Sequence, residues 1–167
     1  MTTQDQPAEG PWSWDGLPGI PASAGALIFD SAGRLLILKP TYKAGWTIPG
    51  GVMENDGESP WQACQREVWE ETGLRVTQGR LAAVDTRPAR SNRALGLRFL
   101  FDCGRYDDQV LAGITVQTLE VSEYRLVPLA AALERLRPPV RRRVAAAVAS
   151  TRCVYLEDGR PIEGVTA

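Results

Sequence analysis

Histidine is absent from this chain of 167 residues. With no imidazole anywhere, a Ser-His-Asp triad, a His-ligated zinc site and an imidazole general base are all excluded. Acid and base work therefore falls to carboxylates, lysine, tyrosine or a metal-polarised water. Cysteine is scarce: Cys64, Cys103 and Cys153 lie far apart and form no CxxC pair. That pattern argues against a disulfide framework or a thiolate zinc site, and all three are expected as small buried hydrophobes. An excess of either charge is missing too, with 19 Lys and Arg against 20 Asp and Glu. There is no overall positive field for duplex nucleic acid or an anionic membrane, although local basic residues remain able to hold a small anion. No apolar run approaches the ~20 residues needed to span a bilayer. Residues 1–19 show neither a basic nor an apolar segment of the secretory kind, so a cytoplasmic protein is expected.

What is present suffices for one domain with a substantial core, since 44% of the residues are apolar. The expected organisation is a loose N-terminal arm at 1–19, one domain at 20–160 and a C-terminal tail at 161–167. In the arm, Trp12 and Trp14 are expected to anchor onto the domain surface, against a role as partner-binding aromatics. Period-2 patterning places a hairpin at 23–29 and 34–39, further strands at 80–86, 94–102 and 124–127, and a last short strand at 153–156. Helices are expected at 128–136 and 140–150, separated by Pro138-Pro139. Arg135, Arg137 and Arg141-Arg142-Arg143 read as a solvated basic helix face. No aromatic residue interleaves them as an RNA platform would require.

The densest chemistry lies in residues 50–74, GGVMENDGESPWQACQREVWEETGL. Ser59 suits an N-cap, Pro60 the first helical position, Gln62 the third position of a capping box, and Gly73 a left-handed stop. At about 100° per residue, Trp61, Cys64, Val68 and Thr72 share one stripe, and Glu67, Glu70 and Glu71 share an arc beside it. Like charges at these spacings repel one another. Arg66 can pair with Glu70, but one guanidinium cannot neutralise three carboxylates, whereas a divalent cation with oxygen ligands can. The competing reading is a solvated acidic helix face. An EF-hand is excluded, because with Gly57 at loop position six the end positions would be Val52 and Ala63.

This stretch resembles the signature of the Nudix hydrolases: Gly51, Glu58, then Arg66, Glu67, Val68, Trp69, Glu70, Glu71, Thr72, Gly73 and Leu74. It departs from the family pattern at one place, where Asn55-Asp56 occupies a position that normally holds a single residue. The resemblance covers about residues 22–129. Flanking segments, LKPTYKAGW and RRRVAAAVAS…VYLEDG, are similar to those of bacterial, chiefly actinobacterial, family members of unassigned substrate and extend the likeness to about residue 159.

The resemblance implies an α/β/α sandwich with a mixed sheet, where pattern alone gives only mixed α and β. It implies a Mg2+-dependent pyrophosphohydrolase, with Mn2+ as a substitute, acting on a nucleoside diphosphate linked to a group X. NTP, ADP-ribose and NDP-sugar types all qualify. The metal ligands it implies are the Gly50 carbonyl, Glu67, Glu70, Glu71 and, from a later loop, Glu120, with Glu123 as the alternative. One of Glu70, Glu71 and Glu120 would take the water's proton. Gly51, Glu58, Arg66 and Gly73 would be structural, Glu58 pairing with Arg66. Lys39, Lys43, Arg87, Arg90 and Arg93 are candidates for phosphate, against ordinary solvated lysines and a solvated polar loop. Trp46 is a candidate for stacking on a base, against a place in the core. A nucleotide-binding module without catalysis is the second reading. Isopentenyl diphosphate isomerase, which shares the fold, needs a histidine this chain lacks. The oligomeric state stays open, a homodimer included.

Overall fold

Apolar residues at alternate positions feed both faces of the strand β1 (Ala22–Phe29). Ala24, Ala26 and Ile28 join one core and Leu27 the other. In this computed structural model, which describes residues 19–165, the same division runs through β2 (Leu35–Pro40). There Leu36 and Leu38 face one way, and Leu35 and Ile37 the other. The chain continues through β3 (Gly50–Val52), helix α1 (Pro60–Thr72), β4 (Arg80–Arg87), β5 (Gly96–Arg105), the short α2 (Asp108–Leu111), β6 (Val121–Val127), α3 (Leu129–Arg135), α4 (Pro138–Val148) and β7 (Val154–Glu157).

The described strands form one mixed sheet in the order β6-β2-β1-β5-β4-β7, with β3 paired to β1 off that path. β1 runs parallel to β5, and β4 parallel to β7; the other pairings are antiparallel. Helix α1 covers one face, burying Ala63, Cys64 and Val68 against Ile28, Leu36 and Leu38. Helices α3 and α4 cover the other through Ala132, Val144 and Ala147. The result is an α/β/α sandwich.

One irregularity positions everything that follows. β1 and β2 are in register only at Phe29 and Leu35, after which they part. The segment between β2 and α1 enters the gap, pairing Thr47 with Leu38 on one side and Gly50–Val52 with Ser23–Gly25 on the other. Gly50 has φ 138°, and a Cβ there would overlap the Ala24 carbonyl, so only glycine fits.

Several expectations need correction. Cys153 is exposed, whereas Cys64 and Cys103 are buried. Helix α4 opens at Pro138, with both prolines in its first turn, where missing N–H groups leave no bond unmade. Helix α2 is four residues long, too short to carry a period in the sequence. The expectation for Trp12 and Trp14, and the arm to residue 18, lie outside the described residues.

Candidate active site

Helix α1 starts and stops as its end residues dictate. The Ser59 side chain accepts from the Gln62 N–H, the Gln62 side chain accepts from the Ser59 N–H, and Gly73 caps in the left-handed region at φ 72°. Its apolar stripe against the sheet turns Glu67, Glu70 and Glu71 toward the glycine turn and the adjoining surface. Arg66 is the organiser of this surface. Its Nε and Nη2 donate to the two Glu58 oxygens at 2.8 and 3.1 Å, and Nη1 donates to Glu67 and Glu70 at 3.0 and 2.9 Å. Nη2 also donates to the Val52 carbonyl. This bidentate pairing holds the Glu58 carboxyl below its ordinary range.

The extra residue in the loop leaves that pairing intact. Asp56 accepts from the Glu58 N–H, and Glu58 in turn accepts from the Glu54 N–H. The longer loop thus closes onto Glu58.

Glu71 is the most deeply placed of the helix carboxylates, 7% exposed, and accepts from the Gly50 N–H at 2.8 Å. Burial pushes its pKa up to about 8; the Gly50 bond opposes this, while Glu67, Glu120 and Glu70 add to the rise. Glu67 is raised as well, by burial first, against the pull of Arg66. A Cβ on Gly51 would overlap the Glu67 carboxylate, so this glycine makes room for the acid. Among the described residues, no three acidic or thiol side chains converge closely enough to hold a cation as they stand. Arg66 draws Glu67 and Glu70 to itself.

A cavity of about 610 Å³ opens beside these groups. Its lining brings together Gly50, Gly51, Glu67, Glu71 and Glu120 with Lys43 and Arg87. Lys39, Glu70, Trp46, Arg90, Arg93 and Glu123 are outside that lining. Glu70 stays half-exposed on Arg66. Lys39 is exposed on β2, and its register partner Glu123 pairs with Arg125. Trp46 packs on the second core, with the Arg125 guanidinium 5.0 Å from its ring centre. Arg90 and Arg93 close a tight turn on one another through their backbones.

Sequence reasoning missed Tyr42, Arg98, Arg137 and Arg143, which also line the cavity. The basic helix face is therefore only partly solvated: Arg135 and Arg141 are exposed, while Arg137 and Arg143 turn inward. Arg98 left a faint signal, a charge on the same strand face as buried Leu100 in the apolar run LRFLF. Tyr42 left none.

A mixed sheet between two helical layers, with carboxylates and arginines lining one cavity, defines an α/β/α sandwich protein with a strongly charged site. The chain belongs to the Nudix family, since a model of the NUDIX domain matches residues 19–148. A MutT-like protein of Streptomyces ambofaciens is 40% identical over 76 residues, covering 46% of this chain and 49% of that one. Diphosphoinositol polyphosphate phosphohydrolase 2 of Homo sapiens is 36% identical over 78 residues, 45% of this chain and 43% of that protein. The chain thus spans about half the length of the relatives it matches by sequence. Among solved structures, the MutT protein of Methanosarcina mazei superposes with a TM-score of 0.58 at 28% identity, over 70% of this chain and 83% of that one. The Nudix domain of Shewanella oneidensis NrtR, in complex with ADP ribose, gives 0.66 at 17% identity over 83% and 93%, a likeness of fold alone.

Proposed function

We propose that this protein is a Mg2+-dependent pyrophosphohydrolase that cleaves a nucleoside diphosphate linked to X through attack of water at phosphorus. The observation that carries the reading is the buried Glu71 at the acidic end of the cavity, beside Glu67 and Glu120 and against the Gly50-Gly51 turn. Burial raises Glu71 and the neighbouring carboxylates add to the rise; Arg66 pairs with Glu67 and Glu70, not with Glu71, and an all-oxygen donor set suits a hard cation. Gly50 through its carbonyl, Glu67, Glu70, Glu71 and Glu120 would hold it, with Mn2+ as a substitute. When bound, the cation neutralises phosphate charge and acidifies water.

The chain's own residues do the rest. Glu70, Glu71 or Glu120 accepts the water's proton. Glu58 and Arg66 fix the loop to the helix. Two adjacent phosphates offer the cation more oxygens than one, so diphosphate derivatives should be preferred over phosphomonoesters. The products are a nucleoside monophosphate with a phosphorylated X, or with pyrophosphate when the substrate is a triphosphate. The family relationship supports the same class.

The test is hydrolysis of a panel of dinucleotides, NDP-sugars and nucleoside triphosphates with Mg2+. Replacing Glu70 and Glu71 together by Gln keeps size and helix propensity, and should lower turnover at least ~10³-fold with the fold intact. Turnover within tenfold of wild type would overturn the assignment. In ¹⁸O-water the label should appear on a phosphate product; label on the carbon skeleton of X would refute attack at phosphorus.

A further inference from the structure

Four basic residues of the cavity crowd one another and hold more positive charge than the described residues compensate. Arg98 rises from β5 on the same face as Leu100 and is partly buried. Its Nη1 donates at 2.7 Å only to the carbonyl of its own neighbour, Leu97. Arg137, the residue before α4, has a buried Nε with no hydrogen-bond partner. Arg87 ends β4, and Lys43 lies in the loop after β2 with only the Tyr42 ring beneath it, 4.6 Å away. All four line the cavity. Among the described residues, the ion pair formed by a cavity-lining cation is that of Arg143 with Asp85. Burial together with the mutual repulsion of these groups holds Lys43, Arg87 and Arg98 below their ordinary pKa values.

Partly buried cations crowded around a cavity destabilise the fold unless an anion answers them. The scissile diphosphate cannot serve that purpose, because its charges belong beside the carboxylates and their cation. A guanidinium with its Nε and Nη donors unengaged is the fork that receives a phosphate monoester, which brings nearly two charges and three acceptor oxygens.

We infer that Lys43, Arg87, Arg98 and Arg137 form a second anion subsite, and that the substrate carries a phosphomonoester on a part remote from the diphosphate being cleaved. This rests on the reading of the acidic end given above and narrows its substrate class. Unphosphorylated ADP-ribose and simple NDP-sugars then leave the basic end unfilled. A carboxylate on X would supply one charge and two oxygens in place of nearly two charges and three oxygens.

Two measurements test it, one independent of turnover. In EDTA, the full chain is titrated calorimetrically with inorganic tripolyphosphate. Arg98→Gln and Arg137→Gln should each weaken binding roughly ten- to a hundred-fold, the usual weight of a charge-assisted hydrogen bond. Arg141→Gln, on the exposed side of α4, should leave it unchanged. Arg87→Gln, at a strand end, gives the same reading if either variant fails to fold. With Mg2+, kcat/KM is compared within pairs that differ by one phosphomonoester, NADP+ against NAD+ and coenzyme A against dephospho-coenzyme A. Wild type should favour the phosphorylated member by at least ~10-fold, and Arg137→Gln should bring the ratio close to unity. A succinylated analogue processed as well as the phosphorylated one would assign the subsite to carboxylates. Tripolyphosphate binding that ignores Arg98 and Arg137, or equal processing within both pairs, overturns the subsite. Binding that behaves as expected without any hydrolysis overturns the catalytic reading and leaves the subsite standing.

Discussion

Glu58 pairs directly with Arg66, Glu71 accepts from the Gly50 N–H, and the two titrate in opposite directions. For Glu71 the folded value, about 8, lies above the unfolded carboxyl value of ~4.5. The stability contributed by its neutral form is therefore complete below pH 4.5 and is lost as pH rises through 8. In EDTA, Glu71→Gln should melt roughly 5–10 °C above wild type at pH 8.5 and close to it at pH 5. Melting curves at the two values decide it, and an equal gain at both would mean that the carboxyl is ordinarily ionised. Glu58, held low by Arg66, works the other way: its contribution is present above pH 4.5 and is lost as pH falls through its folded value. The three helix carboxylates were legible because helical spacing alone sets their shared arc. Arg98, Arg137 and Tyr42 were not, because they meet only when β5, α4 and the loop after β2 are assembled.

At the scale of the element, α1 shows how far local rules reach. Its cap, proline, capping box and glycine stop all stand where the sequence places them, since each acts over four residues or fewer. Ser59→Ala removes the side-chain acceptor for the Gln62 N–H and should cost about 1 kcal/mol. That corresponds to a melting temperature lower by roughly 2–4 °C. A loss no larger than that of an exposed control such as Gln78→Ala would show that the box contributes nothing. Helix α4 was legible in kind but began at Pro138, two residues before its expected start, because a proline pair can occupy both opening positions. The basic run on α4 was misread as a solvated face, since which arginines turn inward depends on the sheet beneath, not on the helix.

For the whole molecule, Asp85 joins three elements. Its Oδ2 receives Nε and Nη2 of Arg143 from α4, and its Oδ1 receives the N–H of Gly159 in the turn after β7. Asp85→Asn leaves Arg143 largely buried and without its counter-charge, which should lower unfolding free energy by about 3–5 kcal/mol. Denaturant melts measure this. Phosphate at 100 mM should restore more stability in the variant than in wild type, since Arg143 then joins the uncompensated cations of the cavity. A variant as stable as wild type would show that the pair has no net weight.

The parting of β1 from β2 has a kinetic corollary. β6 and β2 are joined to the rest of the sheet at Phe29 and Leu35 and through the inserted segment, whereas β1 and β5 share a long parallel ladder. Amide hydrogen exchange should accordingly divide the sheet into two cooperative units. Protection should be greatest at Phe99 and Leu100 of β5, and the amides of Leu38 and Thr47, which bond one another, should exchange sooner, through openings that leave the β1–β5 ladder closed. Because Tyr42, Lys43 and Glu120 lie on connections to β2 and β6, these sub-global openings would set the rate at which a ligand trapped in the cavity escapes.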